Sequence, residues 1–182
     1  DQLLHDLAWG KKQAAFALTE PAAGSDVAGL LSTYEENANG EFVISGEKKF
    51  ITRADTADYF VVVARKDGST RGAKDLSGFV VDRKSPGLSI SAIIPKMGWY
   101  GVPIAMVTLK NVVVPRTHLL SQEGQGMALA QDTLIRARVG HAAIALGRAR
   151  GALQIASQYA NQRSVFGKFV GEHQGIQWML AS

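Results

Sequence analysis

The sequence predicts an α+β protein in which an antiparallel β-barrel or sandwich is followed by the first helices of an α-helical bundle. Seven short runs of strand-like composition occupy residues 14–120, and turn-forming pairs such as Asn39-Gly40 and Asp67-Gly68 separate them. After Pro115 no further proline occurs, and apolar residues recur at helical spacing up to Gln162. We therefore expect three parts: residues 1–13 end an N-terminal helical region, 14–120 form the β domain, and 121–182 start a truncated C-terminal bundle.

The first element is predicted to be the end of a helix. Leu3, Leu4 and Leu7 lie at helical spacing, and Gly10 with two lysines after it is typical of a helix end. We expect the chain to begin inside this element.

The predicted strands are short and closely spaced, as in a closed or nearly closed barrel or a sandwich. They are Ala14–Leu18, Leu31–Glu35, Phe42–Ile51, Tyr59–Arg65, Ser77–Asp82, Leu88–Ile94 and Ile104–Val114. The run Asn37-Ala38-Asn39-Gly40 between the second and third strands indicates a hairpin.

Two helices are predicted in the last third of the chain. An apolar stripe from Met127 to Ala156 indicates one helix of about 35 residues, about 50 Å long at the standard rise. Its many Ala and Gly residues allow close approach of partner helices, as in a bundle. A second amphipathic pattern, Glu172–Leu180, follows Gly167 and is still running at the end of the chain, so we interpret the sequence as a segment of a longer protein.

Composition excludes several classes of site. The chain has no Cys, which excludes disulfides, thiolate nucleophiles and cysteine metal ligands. Its four His residues show no metal-ligand spacing, so we expect no metal. The motifs GxGxxG, GxxxxGK[ST] and GxSxG are absent, which removes support for a Rossmann site, a P-loop or a hydrolase elbow.

Charge and hydropathy give no support for a nucleic-acid or membrane partner. The formal net charge is +4, but basic residues are dispersed among acidic ones through the first half. A denser arginine series, Arg136 to Arg150, lies in a helical pattern and fits a solvated face, a helix contact or a small anion such as a nucleotide phosphate. No apolar run is long enough to cross a bilayer.

Three motifs carry the functional information. Phe16-Ala17-Leu18-Thr19-Glu20-Pro21-Ala22-Ala23-Gly24-Ser25-Asp26 leads an apolar strand into a turn with hydroxyls, small residues and free backbone N–H groups. Gly46-Glu47-Lys48-Lys49-Phe50-Ile51-Thr52 again ends in an aromatic residue and a hydroxyl, and Arg163-Ser164-Val165-Phe166-Gly167-Lys168 precedes the last helix. Together these motifs resemble the acyl-CoA dehydrogenase family of flavoproteins over essentially all 182 residues. Taken alone, Thr19 and Ser25 also fit a plain strand end and a Ser/Thr turn.

The resemblance implies that FAD is the cofactor and assigns residues to it. Thr19 would bond near the flavin pyrimidine, Thr52 near N5, and Ser25 at the pyrophosphate or the CoA arm. Phe50 stands where the family commonly has Trp, which keeps an apolar ring but loses the indole N–H. The implied cofactor-binding residues are Phe16, Leu18, Thr19, Gly24, Ser25, Phe50, Ile51, Thr52, Arg163, Phe166 and Gln174.

The resemblance also implies an oligomer, because the segment with Arg163, Phe166 and Gln174 reaches a neighbouring subunit's FAD in the family. We therefore expect a homodimer or homotetramer. The helix macrodipole alone also favours a basic residue such as Arg163 at a helix end, with no ligand required. Arg138 and Ser25 are the implied substrate-binding residues. Ala137 stands where some members carry their catalytic Glu, so no catalytic residue is expected in this chain and the base is expected beyond Ser182.

The implied activity is α,β-dehydrogenation of an acyl-CoA to the 2-enoyl-CoA, with electrons passed to an electron-transfer flavoprotein. An acyl-CoA oxidase, a flavin monooxygenase of the same fold, or a non-catalytic dimerisation module stay open as alternatives. The bacterial cytoplasm and the mitochondrial matrix are the two expected compartments. The 182-residue chain alone is expected to be inactive.

Overall fold

The computed structural model describes residues 2–70 and 72–181 and divides into two compact units, one up to Asp132 and one from Thr133 onward. The first unit is built around a mixed β-sheet, and the second is mainly helical. The predicted α+β class is therefore confirmed.

Each predicted element is present, with small differences at the ends. In the described residues the helices are α1 (Gln2–Ala8), α2 (Gly126–Ala160) and α3 (Gln174–Ala181). The strands are β1 (Ala14–Ala17), β2 (Thr33–Glu36), β3 (Phe42–Thr52), β4 (Tyr59–Lys66), β5 (Leu76–Asp82), β6 (Leu88–Ile90), β7 (Ile104–Val114), β8 (Leu119–Leu120), β9 (Ser164–Val165) and β10 (Lys168–Phe169). Single 3₁₀ turns occupy Val27–Gly29, Ala73–Asp75, Arg116–His118 and Val170–Glu172.

The sheet of the first unit has the strand order β6-β7-β3-β2-β4-β5-β8, and β1 also pairs with β4. The predicted hairpin between β2 and β3 is present, with Glu36 opposite Phe42. The strand path stays open between β6 and β8 in the described part of the chain, so of the predicted arrangements, a closed barrel, a nearly closed barrel or a sandwich, the closed barrel is not formed.

Two strand pairs are parallel rather than antiparallel. β1 pairs with the first half of β4, from Tyr59 to Val62. β2 pairs with Arg65 and Lys66, the last two residues of β4. Parallel pairing needs a long connection between strands. From both β1 and β2 the chain reaches β4 only after β3, and residues 18–32, between β1 and β2, carry most of the first of the three motifs.

The ends of β1 and β2 differ from the prediction for one physical reason. Leu31 and Ser32 were expected to be in a strand, but their backbone N–H groups donate to the Glu20 carboxylate at 2.6 and 3.0 Å. The Leu18 carbonyl accepts from the Lys48 ammonium at 3.2 Å. Both segments leave the sheet because side chains satisfy their backbone groups.

The core lies on one face of the sheet and is rich in aromatic residues. Tyr34 packs edge-on against Phe79 and Phe42 packs against it in a tilted arrangement, with ring centroids 4.8 and 5.1 Å from that of Phe79, and Phe60 is fully buried. Within residues 2–70 and 72–181, no helix is both long enough and apolar enough to cross a membrane.

Candidate functional site

The first motif forms a tight turn whose tip is open. After β1, the N–H of Glu20 donates to the Ala23 carbonyl at 2.9 Å, and the Ala23 N–H donates back at 3.3 Å. Pro21 fixes the first bend of this turn. Gly24 and Ser25 beyond it are exposed, and a Cβ at Gly24 would have no neighbour within 4 Å. The turn therefore presents free main chain and a hydroxyl to another molecule.

The second motif contains a break in the regular pairing of β3. The register between β3 and β7 shifts between Lys48 and Ile51, and Phe50 lies within the shift at φ +60°. Arg53, just after the strand, has φ +56°. Bulges and left-handed non-glycine residues re-aim side chains and are concentrated at functional sites. Here the break leaves the Phe50 ring 52% exposed and Thr52 exposed, while Ile51 is buried.

The two motifs are brought together by a backbone hydrogen bond. The Lys49 N–H donates to the Thr19 carbonyl at 2.8 Å. Thr52 follows Lys49 by three residues in the same strand. The segments around Thr19 and Thr52, here called the first and second corners, therefore belong to one region of the first unit. Phe16 is half-buried in β1, and Leu18 is buried just after the strand.

A buried ion pair lies directly beneath these corners. The Lys48 ammonium donates to the Glu20 carboxylate at 2.7 Å and to the carbonyls of Val63 at 2.6 Å and Leu18 at 3.2 Å. Lys48 has no exposed surface, and Glu20 has 5%. All three ammonium protons therefore have acceptors, as a fully buried lysine requires.

Burial and pairing act in opposite directions on this pair. Burial lowers the pKa of Lys48 to about 8, although the Glu20 charge opposes that shift. Burial also raises the pKa of Glu20, but the Lys48 charge and the hydrogen bonds to the carboxylate outweigh it and hold that pKa below its ordinary value. Glu20 is therefore ionised at neutral pH.

Sequence reasoning did not assign a role to Lys48 or Glu20. One signal was available: in β3 the even-numbered residues Phe42 and Ile44 point into the core, and Lys48 continues that phase. A lysine on the inward side of a strand predicts a buried partner carboxylate.

Two cavities flank the first unit. A cleft of about 250 Å³ is lined by Glu20, Pro21, Ala22, Leu31, Ser32, Gly46 and Glu47, next to the first motif. A larger apolar cavity of about 500 Å³ lies between α1 and the sheet and includes none of the predicted site residues. In the described ranges, no group of His, Asp and Glu is arranged to hold a metal ion.

The second unit carries the remaining predicted residues. Phe166 and Gly167 form the turn between β9 and β10 at φ +50° and +80°, and Phe166 is 98% exposed. Arg163 precedes this hairpin, and its carbonyl accepts from the Val170 N–H at 2.8 Å. Gln174 is the first residue of α3. Arg163, Phe166 and Gln174 are thus carried by one short hairpin-helix segment.

Arg138 and Ala137 lie on α2, and Arg138 is exposed. The Ala137 carbonyl lies 2.8 Å from Nδ1 of His141, one helical turn later. The side chain at position 137 has no group that takes up a proton.

Two family models match the chain. The acyl-CoA dehydrogenase middle domain matches residues 15–112, and the acyl-CoA dehydrogenase C-terminal domain matches residues 124–182.

Named relatives agree with these matches. The caffeyl-CoA reductase-Etf complex subunit CarC of Acetobacterium woodii is 38% identical over 100% of this chain and 47% of its own length. Butyryl-CoA dehydrogenase from Megasphaera elsdenii has a solved structure with a TM-score of 0.95 and 35% identity, covering 99% of this chain and 47% of that one. An acyl-CoA dehydrogenase from Bacillus anthracis complexed with FAD has a TM-score of 0.93 and 37% identity, covering 99% of this chain and 30% of that one. The chain spans about half the length of the curated relatives it matches.

Proposed function

This chain belongs to the acyl-CoA dehydrogenase family, and we propose that the protein it comes from binds FAD and oxidises an acyl-CoA thioester to the 2-enoyl-CoA. We also propose an electron-transfer flavoprotein as electron acceptor, because a similar protein is a subunit of an Etf complex. Residues 14–120 would form the flavin-binding domain of that protein.

The single observation that carries this proposal is the hydrogen bond between the Lys49 N–H and the Thr19 carbonyl. It joins two corners that each end in a hydroxyl, beside an exposed aromatic ring at Phe50. An exposed ring held at a strained φ suits contact with a flat aromatic ligand. The open space at Gly24 suits close approach of a polar ligand to the main chain. These features fit FAD.

When bound, FAD would be the oxidant and would accept the hydride that leaves the β-carbon of the substrate. The chain's own residues would hold and orient it. In this proposal Thr19 and Thr52 donate hydrogen bonds to the ring system, and the Phe50 ring covers an apolar face. Ser25 and the Gly24 main chain would contact the pyrophosphate or the CoA arm.

We propose that Arg163, Phe166 and Gln174 bind the FAD of a second subunit, which makes the protein a homodimer or homotetramer. The nearly complete exposure of Phe166 at the tip of a hairpin supports this assignment. A planar guanidinium such as that of Arg163 is suited to a phosphate.

Substrate contacts are proposed for Arg138 and Ser25, both exposed. The α-proton must be removed by a base, and Ala137 has no proton acceptor in its side chain. We propose that the base is a carboxylate in the part of the protein that lies beyond Ser182.

The test uses the full-length protein. We expect it to purify yellow and to bleach when a saturated acyl-CoA is added without oxygen, while the matching 2-enoyl-CoA leaves the flavin oxidised. A screen of straight, branched and aromatic acyl-CoAs by the same absorbance would identify the substrate class. A colourless protein that takes up no added FAD would contradict the proposal.

Reduction of an enoyl-CoA is a second candidate, because the similar Acetobacterium woodii protein is named a reductase. Flavin reduced beforehand would then be reoxidised by a 2-enoyl-CoA faster than oxidised flavin is reduced by the acyl-CoA. An acyl-CoA oxidase or a flavin monooxygenase would use oxygen instead, and an oxidase would release hydrogen peroxide without another acceptor. A non-catalytic module would form the oligomer but show no flavin reduction.

A further inference from the structure

The Lys48–Glu20 pair binds four backbone groups around the first corner, those of Leu18, Val63, Leu31 and Ser32. Lys48 belongs to β3 and binds the Leu18 carbonyl on one side of Thr19 and the Glu20 carboxylate on the other. The adjacent Lys49 N–H holds the carbonyl of Thr19 itself. The backbone on both sides of Thr19 is therefore fixed by two consecutive residues of the strand that carries Thr52.

The same pair fills a gap in the sheet. The Val63 carbonyl accepts from Lys48 at 2.6 Å, and Val63 lies on β4 between the residues that pair with β1 and those that pair with β2. Glu20 in turn holds the N–H groups of Leu31 and Ser32 just before β2. The charged groups thus take the place of strand hydrogen bonds where the connection 18–32 leaves the sheet.

Stability alone does not account for a buried pair. Desolvating two charges is costly, and an apolar pair of similar volume is often as stable or more stable. Fixing one arrangement of the surrounding segments is a role that apolar side chains would not fill, because they accept and donate no hydrogen bonds.

We propose that Lys48 and Glu20 are positioning residues that hold the Thr19 corner against β3 in the geometry that binds the flavin. This inference rests on the proposed flavin site. Neither residue is placed in contact with cofactor or substrate, since Lys48 has no exposed surface and both carboxylate oxygens of Glu20 already accept hydrogen bonds within the chain. Their effect is exerted through the backbone of residues 18–20 and 48–49, which preorganises the loop before the cofactor arrives.

The test measures FAD affinity separately from folding stability in the full-length protein. The double variant Lys48→Met with Glu20→Gln removes both charges, so no unpaired charge stays buried. We expect it to unfold cooperatively but to bind FAD at least about tenfold more weakly, because ordering even one loop residue costs about that factor. Flavin fluorescence quenching gives the affinity, and urea unfolding of the apoprotein gives the stability.

A matched control separates positioning from general loss of stability. Val81→Ala removes buried apolar volume from β5 and should lower the stability of the apoprotein, while FAD affinity stays within about twofold of wild type. If the double variant fails to fold, Glu20→Asp decides the question, because it keeps the charge but shortens the reach to Lys48, Leu31 and Ser32. We expect this variant to bind FAD more weakly than Val81→Ala at equal or higher stability.

An unchanged FAD affinity in a folded double variant, or in Glu20→Asp, would overturn this inference and leave the proposed function intact. A wild-type protein that binds no FAD would overturn both. If Val81→Ala weakened FAD binding as much as the double variant, the pair would have only a structural role.

Discussion

Phe50 shows how one residue's backbone conformation bears on the proposed site. A bulky side chain at φ +60° is strained by about 1–2 kcal/mol. The strained residue directly precedes Ile51, which is buried, and Thr52, which is exposed. Lys49 also holds its ammonium 5.0 Å from the Phe50 ring centroid, which helps to hold the ring in place.

We predict that Phe50→Gly separates stability from cofactor binding. Glycine adopts a positive φ without strain, so the free energy of unfolding of the apoprotein should change by no more than about 1 kcal/mol. FAD affinity of the full-length protein should fall about tenfold, because the ring that covers the flavin is lost. Urea unfolding and flavin titration measure the two effects, and an FAD affinity equal to that of wild type would argue against contact between Phe50 and the cofactor.

The buried pair predicts a specific loss of stability in acid. The pKa of Glu20 in the folded protein lies below its ordinary value of 4.5, since Lys48 and the hydrogen bonds it accepts favour the ionised carboxylate despite burial. Its contribution is complete above pH 4.5 and is lost as the pH falls through the folded pKa. The apoprotein should therefore lose stability below pH 4.5 more steeply than the Lys48→Met, Glu20→Gln variant. Parallel acid unfolding profiles of the two proteins would contradict the assignment.

Lys48 also marks the limit of sequence reasoning at this scale. Thr19, Ser25, Phe50 and Thr52 were predicted as candidates because their motifs resemble those of the acyl-CoA dehydrogenase family. Lys48 lies between two other charged residues, Glu47 and Lys49, and was given no role from the sequence. The alternation of β3 indicates its inward direction, but its partners Glu20, Leu18 and Val63 come from other segments, and local composition does not encode these long-range contacts.

At the scale of elements, the register of β3 against β7 shifts twice, between Ile44 and Gly46 and between Lys48 and Ile51. At the first shift, β3 lies in close contact with the connection before β2. A Cβ added at Gly46 would lie 2.2 Å from the Ser32 Oγ and 2.6 Å from its Cα, and the glycine has φ +148°.

Gly46→Ala is therefore predicted to destabilise the protein by about 3 kcal/mol, through both the clash and the backbone conformation. Gly24→Ala is the matched control, because its Cβ meets open space, and it should change stability by less than about 0.5 kcal/mol. Urea unfolding of the two apoprotein variants checks this contrast. Equal urea midpoints for the two variants would mean that Gly46 of β3 is not in close contact with Ser32 before β2.

Strand positions were predictable where alternation and turn residues agree. β4, β5 and β7 follow their apolar patterns, and the Asn37 to Gly40 run marked the β2–β3 hairpin. The ends of β1 and β2 were predicted too long because the Glu20 carboxylate and Lys48 ammonium take backbone partners there. The parallel pairing of β1 and β2 with β4 was missed because it joins strands that are far apart in the chain, with β3 between them, and local composition does not encode such pairing.

At the scale of the whole molecule, the chain corresponds to part of longer relatives. The proposed function also calls for a second subunit and for a base outside this chain. We predict that the 182-residue chain alone shows little or no acyl-CoA turnover and retains flavin weakly. Flavin absorbance after gel filtration, compared with that of the full-length protein at equal concentration, measures retention. Full flavin occupancy of the short chain would mean that the cofactor site is complete within it.

The most direct test of the account is FAD affinity in the full-length protein with Thr19→Val, Thr52→Val and both changes together. These substitutions keep the branched shape but remove the hydroxyls. We expect the wild type to bind FAD, each single variant to bind it up to about tenfold more weakly, and the double variant to bind it most weakly. A wild-type protein that binds no FAD, or two hydroxyl variants with wild-type affinity, would contradict the claim that the two corners bind one flavin.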